Sequence, residues 1–250
     1  MRFSGPLEAA ALLTALPVPR DAARSTRGVL PWAPLVGLVL GGSATGVALL
    51  GERWISASAG AVLALAVLAV LTRGLHLDGL ADTADGLGPM RGRERALQVM
   101  HQSDIGPFGV ATLVLTLLLQ TACLTALLGT EQGWVALWLA VAVARLAMAR
   151  TGLRGVTTAE GSSLGALVAG TVSAPWLAGW AALLLLLAAA ATGDVDPAVR
   201  LAGSALAGLL AAEWLHRRAR ARLGGVTGDV MGAMGETATT ATLLVAAIAV

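Results

Sequence analysis

Arg73-Gly-Leu-His-Leu-Asp-Gly-Leu-Ala-Asp-Thr-Ala-Asp-Gly-Leu-Gly88 places three acids in sixteen residues, in a chain with only fifteen Asp and Glu among 250 residues. Asp78, Asp82 and Asp85 are spaced i, i+4 and i+7. If the stretch is a helix, that spacing puts all three carboxylates on one face. Like charges stacked this way repel, so the pattern asks for a cation between them, a divalent ion or a phosphate-bound one.

On either side of this stretch the chain is apolar. It is 56% hydrophobic and 13% charged, with a mean hydropathy of +0.78, which excludes an ordinary soluble globule. Runs of about the twenty residues needed to cross a bilayer lie at 31–50, 55–71, 110–128, 134–149, 198–215 and 237–250. The apolar run 164–191 contains Pro175 and is either one kinked helix or a re-entrant lead-in to a span from Trp176. These runs predict an all-α, polytopic membrane bundle of six or seven spans. The short run before Pro17 is interrupted by Glu8 and has a poor basic n-region, so it reads as an interfacial helix started by Ser4 and Pro6, within a 1–30 cytoplasmic segment. Cys123, the single cysteine, sits in an apolar run as a core thiol.

All seventeen basic residues are arginine, and only Arg53 and Arg200 fall in the linkers opposite the other fifteen. The positive-inside rule then predicts that the N-terminus, the acidic stretch and the Arg217–Glu236 linker are cytoplasmic. The chain is expected to be a single catalytic domain whose active-site segments, 73–108 and 216–236, share that face. Gly37, Gly41, Gly42 and Gly46 read as close helix packing.

The second chemistry-bearing segment is Gly224-Gly-Val-Thr-Gly-Asp-Val-Met-Gly-Ala-Met-Gly-Glu236. Asp229 and Glu236 are seven apart with small residues between, and Thr227 and Gly228 belong to the part where a phosphate could approach the backbone. Its plainer reading is a Gly-rich loop with Asp229 capping the last helix, just as Asp85, followed by Gly86, could cap or turn. Ionisable groups at a membrane boundary tend to be functional. The two acid groups together suggest a metal–diphosphate site formed by Asp78, Asp82, Asp85, Asp229 and Glu236. Phosphoryl transfer from a nucleotide-diphosphate donor would use Mg2+ there, with a carboxylate such as Asp82, or His76, taking a proton from an attacking alcohol, although His76 reads equally as a metal ligand or a satisfied interfacial histidine. Arg27, Arg73, Arg91, Arg93, Arg95, Arg145 and Arg154 are candidates for holding phosphate, Arg27 and Arg145 foremost. No P-loop sequence is present.

The chain resembles the cobalamin (5'-phosphate) synthase family along most of its length. The likeness runs through Leu16-Pro-Val-Pro19, Arg27-Gly28, Pro34-Leu-Val-Gly37, Gly74 to Gly86, Glu160-Gly161 and Gly224 to Glu236. The resemblance implies a Mg2+-dependent inner-membrane enzyme that joins adenosylcobinamide-GDP to α-ribazole, or its 5'-phosphate, in the last stage of vitamin B12 nucleotide-loop assembly. Its products would be adenosylcobalamin, or its 5'-phosphate, and GMP. It implies a lipid bilayer and no nucleic acid as partners, and is compatible with a homo-oligomer. At Met100-His-Gln-Ser-Asp-Ile-Gly106 the family pattern has an acid near Gln102 and a base near Asp104, so Asp104 ranks below the other acids as a ligand. The acids also resemble those of the CDP-alcohol phosphotransferases, although Asp82 stands where their Ala-Arg would begin. A phosphotransferase for another alcohol, a cation or corrinoid transporter and a non-catalytic scaffold are the alternatives. A transporter would want its acids at the bilayer midplane.

Overall fold

The computed structural model describes residues 4–19 and 25–249; Arg2, Arg20 and Arg24, which contribute to the expected charge pattern, lie outside them. Eleven α-helices and no strand are found among the described residues: α1 (Ser4–Leu13), α2 (Val29–Trp54), α3 (Ala57–Leu71), α4 (Leu75–Leu87), α5 (Arg93–Met100), α6 (Pro107–Leu128), α7 (Gly133–Ala149), α8 (Ser163–Val168), α9 (Ala174–Thr192), α10 (Val195–Leu223) and α11 (Gly228–Ile248). The chain is an all-α polytopic membrane protein. Six helices, α2, α6, α7 with the 3-10 turn that extends it, α9, α10 and α11, are long and apolar enough to cross a membrane. The seventh candidate is α3, which meets α4 at a 90° bend. For the linkers to alternate between faces as their arginines do, α3 alone must return the chain, which leaves α4 at the boundary outside the spans.

The bundle is built around α7. All its residues are buried except Trp134 and Trp138, which leaves no lipid-facing stripe and makes α7 a core helix. By contrast, Val110, Val114, Leu115 and Leu118 on α6 and Leu183, Leu185 and Leu186 on α9 are exposed, an outer surface suited to lipid chains. Small residues set the closest approach. A Cβ at Gly37 would come within 2.9 Å of the Ala142 backbone, and one at Gly41 within 2.9 Å of the Trp138 carbonyl, so these glycines are what lets α2 lie against α7. Gly42 and Gly46 were expected to do the same, but they turn outward, with nothing within 4 Å of a Cβ placed there.

Two boundaries differ from expectation, and a third decides between two expected alternatives. The 164–191 run is broken, so it is not one kinked helix: α8 ends at Val168, and α9, the span, starts at Ala174 with Pro175 in its first turn. The final helix begins at Gly228, nine residues before the expected 237. In turn α10 continues to Leu223, so the expected 216–236 linker shrinks to a tight turn around Gly224, whose φ is +83°. Both extensions consist of residues too polar to register as apolar runs yet helical by local preference and packing, as in the Arg217–Arg222 tail.

The first turn of α2 is held from outside. Buried Glu8 on α1 accepts the Gly28 N–H at 2.7 Å, a remote carboxylate at a helix N-terminus. This anchors α1, which ends at Leu13, four residues short of Pro17.

Candidate active site

The site is built where α4 leaves α3. Arg73 (φ +56°) and Gly74 (φ +69°) are both left-handed, and two such residues in succession swing α4 through its right angle. The Arg73 guanidinium donates to the Leu12 carbonyl at 2.9 Å, tying this turn to α1. That use of Arg73 is structural.

Next, α4 crosses α11. A Cβ at Gly79 would lie 2.7 Å from the Asp229 carbonyl oxygen, and one at Gly232 would lie 3.1 Å from the His76 Cα. The two helices touch backbone to backbone, which is why the acids of separate segments share one rim. Asp78 is exposed, while Asp82 and Asp229 are half-buried. Partial burial, with the neighbouring charges of Asp78, Asp229 and Asp85, raises the Asp82 carboxyl to about 7. Carboxylates crowded in this way are stabilised by a cation. Among the described residues no three His, Cys, Asp or Glu side chains converge closely enough to hold a metal ion as they stand. Hard oxygen donors on an open rim fit Mg2+, which is commonly held by one or two carboxylates and completed by water and substrate phosphate.

The other two acids of the expected five lie elsewhere. Asp85 is buried at 5% exposure, and both of its oxygens are occupied: Oδ2 accepts the Gly106 N–H at 2.8 Å and Oδ1 the Gly109 N–H at 3.0 Å. It caps the start of α6 from a different helix, as Glu8 caps α2. Glu236 faces the bundle interior, where Gln120 of α6 donates to its Oε2 at 3.1 Å and to Thr240 at 2.9 Å.

Arg145 lies in that interior too. It is 3% exposed and its Nη2 is 3.1 Å from the Nδ1 of His76. Together with Glu236 and Gln120 these two line a small cavity of about 20 Å3, room for one water. The buried Nε of Arg145 and Nε2 of His76 have no protein partner. This position removes Arg145 from the rim where phosphate was expected to meet it. Guanidinium has only donors, so His76 Nδ1 accepts and the hydrogen of the neutral ring sits on Nε2. Burial, and then Arg145, push the pKa of His76 well down. As placed, His76 offers a donor, which does not suit the proton-accepting role, one of those open to it from sequence.

At the rim, Thr227 caps α11: its hydroxyl accepts the Val230 N–H at 3.2 Å and donates to Asp229 Oδ2 at 3.3 Å. Gly228 packs near Leu164. Arg27 is exposed. Elsewhere on this face, Arg222 donates to the carbonyls of Pro89 and Arg91, and Arg150 pairs with Glu213 at 2.6 Å. These arginines brace the linkers. Asp104 is exposed on the linker after α5.

His101 is the residue that sequence reasoning passed over. It ends α5, and its Nδ1 lies 2.7 Å from the Leu97 carbonyl, which can only accept, so Nδ1 carries a hydrogen and Nε2 is the nitrogen left free to exchange a proton. It is close enough to Asp82 and Asp229 to act on both electrostatically. The available signal was a histidine between the acidic stretch and the α6 start, in the very segment read for Gln102 and Asp104.

His101 and Asp229 also border a cavity of about 220 Å3 lined by residues of α1, α2, α4, α7, α8 and α11. A shallower cleft beyond His101, between α5 and the Glu160–Gly161 turn, continues outward from it.

A model of the family described as cobalamin-5-phosphate synthase matches residues 5–247. The adenosylcobinamide-GDP ribazoletransferase of Frankia casuarinae is 39% identical over 96% of this chain and 92% of its own. Those of Chlorobaculum tepidum and Bradyrhizobium diazoefficiens are each 37% identical, over 98% and 96% of this chain and 96% and 91% of theirs. No solved structure matches. With the match running from α1 to α11, the chain belongs to the cobalamin-5-phosphate synthase family of transferases.

Proposed function

We propose that this protein transfers the phosphocobinamide unit of adenosylcobinamide-GDP to α-ribazole or α-ribazole 5'-phosphate, from the cytoplasmic side of the inner membrane. A ribose hydroxyl oxygen attacks the phosphorus attached to cobinamide. A new P–O bond forms, the P–O bond to the GMP unit breaks, and the hydroxyl proton leaves to a base at the rim. The products are adenosylcobalamin, or its 5'-phosphate, and GMP.

The observation that carries this reading is the rim of Asp78, Asp82 and Asp229, assembled from two distant segments in a chain that matches the family end to end. Asp78, Asp82 and Asp229 would hold Mg2+, which when bound neutralises the diphosphate and the departing GMP. Asp85 and Glu236 are left out of the ligand set, since their oxygens already serve the α6 N-terminus and Gln120. The His101 Nε2, the ring nitrogen not held by the Leu97 carbonyl, is the best-placed group to receive the proton. Arg27, Thr227 and Gly228 remain the candidates for contacting phosphate at this face, Thr227 through the first turn of α11.

The test is GMP release by purified protein in lipid. It should require the GDP-linked corrinoid, the ribazole acceptor and Mg2+ together. Release without acceptor, or undiminished by chelation of Mg2+, would overturn the reading.

A further inference from the structure

The 220 Å3 cavity beside the rim has a polar mouth and an apolar depth. Asp229, Thr227, Ser162 and His101 border it, while Leu13, Leu30, Met148, Leu164, Val168 and Met231 form most of its walls. Five of these six apolar residues are buried almost completely and Leu164 partly, so the walls are set by the packing of the bundle. The mouth opens next to Asp229, one of the acids where the transfer is placed.

Size and polarity narrow the occupant. An apolar cavity of about 150 Å3 accepts a benzene ring, so this one has room for a second, fused ring. It falls below the roughly 300 Å3 at which pockets for drug-sized ligands begin, so neither a whole nucleotide nor a macrocycle fits. A purine such as guanine would carry several donors and acceptors into it, and each one left unpaired opposes binding. The walls offer little to pair with them. The hydroxyl of Thr227 is occupied at the α11 N-terminus, and that of Ser162 accepts the Gly165 N–H. His76 also lines this cavity, but its Nε2 is buried with no accessible surface, so it adds no hydrogen-bonding group to the walls. A base that suits these walls is flat, bicyclic and largely apolar along its edges.

We propose that this cavity is the seat of the acceptor's base, a fused heteroaromatic ring of the benzimidazole class, with the ribose projecting through the mouth toward Asp82, Asp229 and His101. The proposal rests on the transferase reading for the identity of the acceptor, and on the cavity for where its ring lies. The GDP-linked donor then approaches from the outer cleft, so that the two substrates meet at the rim from opposite sides.

Two experiments separate this proposal from the reaction it serves. In Val168→Phe, where the added ring fills the cavity from the short α8, the KM for α-ribazole should rise about tenfold or more, the discrimination expected of a filled apolar pocket. The KM for the GDP-linked corrinoid should stay within about twofold. An unchanged acceptor KM, or a rise in the donor KM alone, overturns the assignment. In Leu164→Cys, α-ribazole should slow labelling by a thiol reagent at least fivefold while GMP does not, and no turnover is needed for this readout. Protection by GMP and not by α-ribazole overturns the cavity assignment even if transfer proceeds. Protection by α-ribazole without any transfer leaves the cavity assigned and the reaction refuted.

Discussion

Replacing Asp85 separates a cap from a metal ligand. Its two oxygens accept the N–H groups of Gly106 and Gly109 in a buried setting. Hydrogen bonds to a charged group contribute about 1.5–3 kcal/mol each, and a buried amide left without an acceptor costs about 1–3 kcal/mol. Asp85→Asn keeps one acceptor oxygen and turns an NH2 toward the other amide, so it should cost roughly 2–3 kcal/mol. Asp85→Ala strands both amides and should cost about 3–5 kcal/mol. At about 2–4 °C per kcal/mol for a chain of this size, Asp85→Asn should melt about 4–12 °C below the parent protein in the same detergent or nanodisc. The assay is thermal unfolding with and without Mg2+ and the GDP-linked donor. Both proteins should show the same upward shift on adding Mg2+ and donor, because the ligands are elsewhere. If Asp85→Asn melts like the parent but loses the Mg2+-dependent shift, Asp85 binds metal and the capping argument is wrong.

Asp82→Asn should do the reverse, lowering Mg2+-dependent GMP release by about 100-fold or more while melting within a few degrees of the parent protein. Gly79→Ala should abolish most activity, because its Cβ would sit 2.7 Å from the Asp229 carbonyl and force α4 off α11. Gly42→Ala, with open space around it, should be neutral or stabilise by up to about 1 kcal/mol in the same thermal assay. Arg145→Met leaves Glu236 in the bundle without its nearby cation and should destabilise by about 3–5 kcal/mol. Adding Glu236→Gln to Arg145→Met should recover part of that loss, and a double mutant no better than the single would show that the two do not interact.

How much of this was legible depended on how local the cause was. The spans follow from hydropathy because lipid demands long apolar helices, and the helical spacing of Asp78 and Asp82 is a property of the stretch itself. The role of Asp85 is not, since the amides it caps lie 21 and 24 residues away and belong to a different helix. Glycine carries the same ambiguity: Gly37 and Gly42 look alike in sequence, and only the placement of α7 distinguishes the packed one from the exposed one. Glu236 shares the heptad spacing of Asp229 yet points inward, where Gln120 and Arg145, from two other helices, give it company. His101 went unread because its value lies in the carbonyl of Leu97 that fixes its hydrogen, a detail that residue type alone does not carry.

The brevity of α3 makes bilayer thickness part of the site. With 15 residues it rises about 22 Å, against a hydrocarbon core of about 30 Å. Its outer face, with Val62, Leu63 and Val70 exposed, meets lipid directly. On this flank the membrane must thin, or the Arg73–Gly74 elbow must be drawn inward, at a cost of fractions of a kcal/mol per ångström. The acid-bearing α4 hangs from that elbow. Short-chain lipids therefore relieve the mismatch, and long-chain or sterol-thickened bilayers pull on the one joint that holds Asp78 and Asp82 level with Asp229.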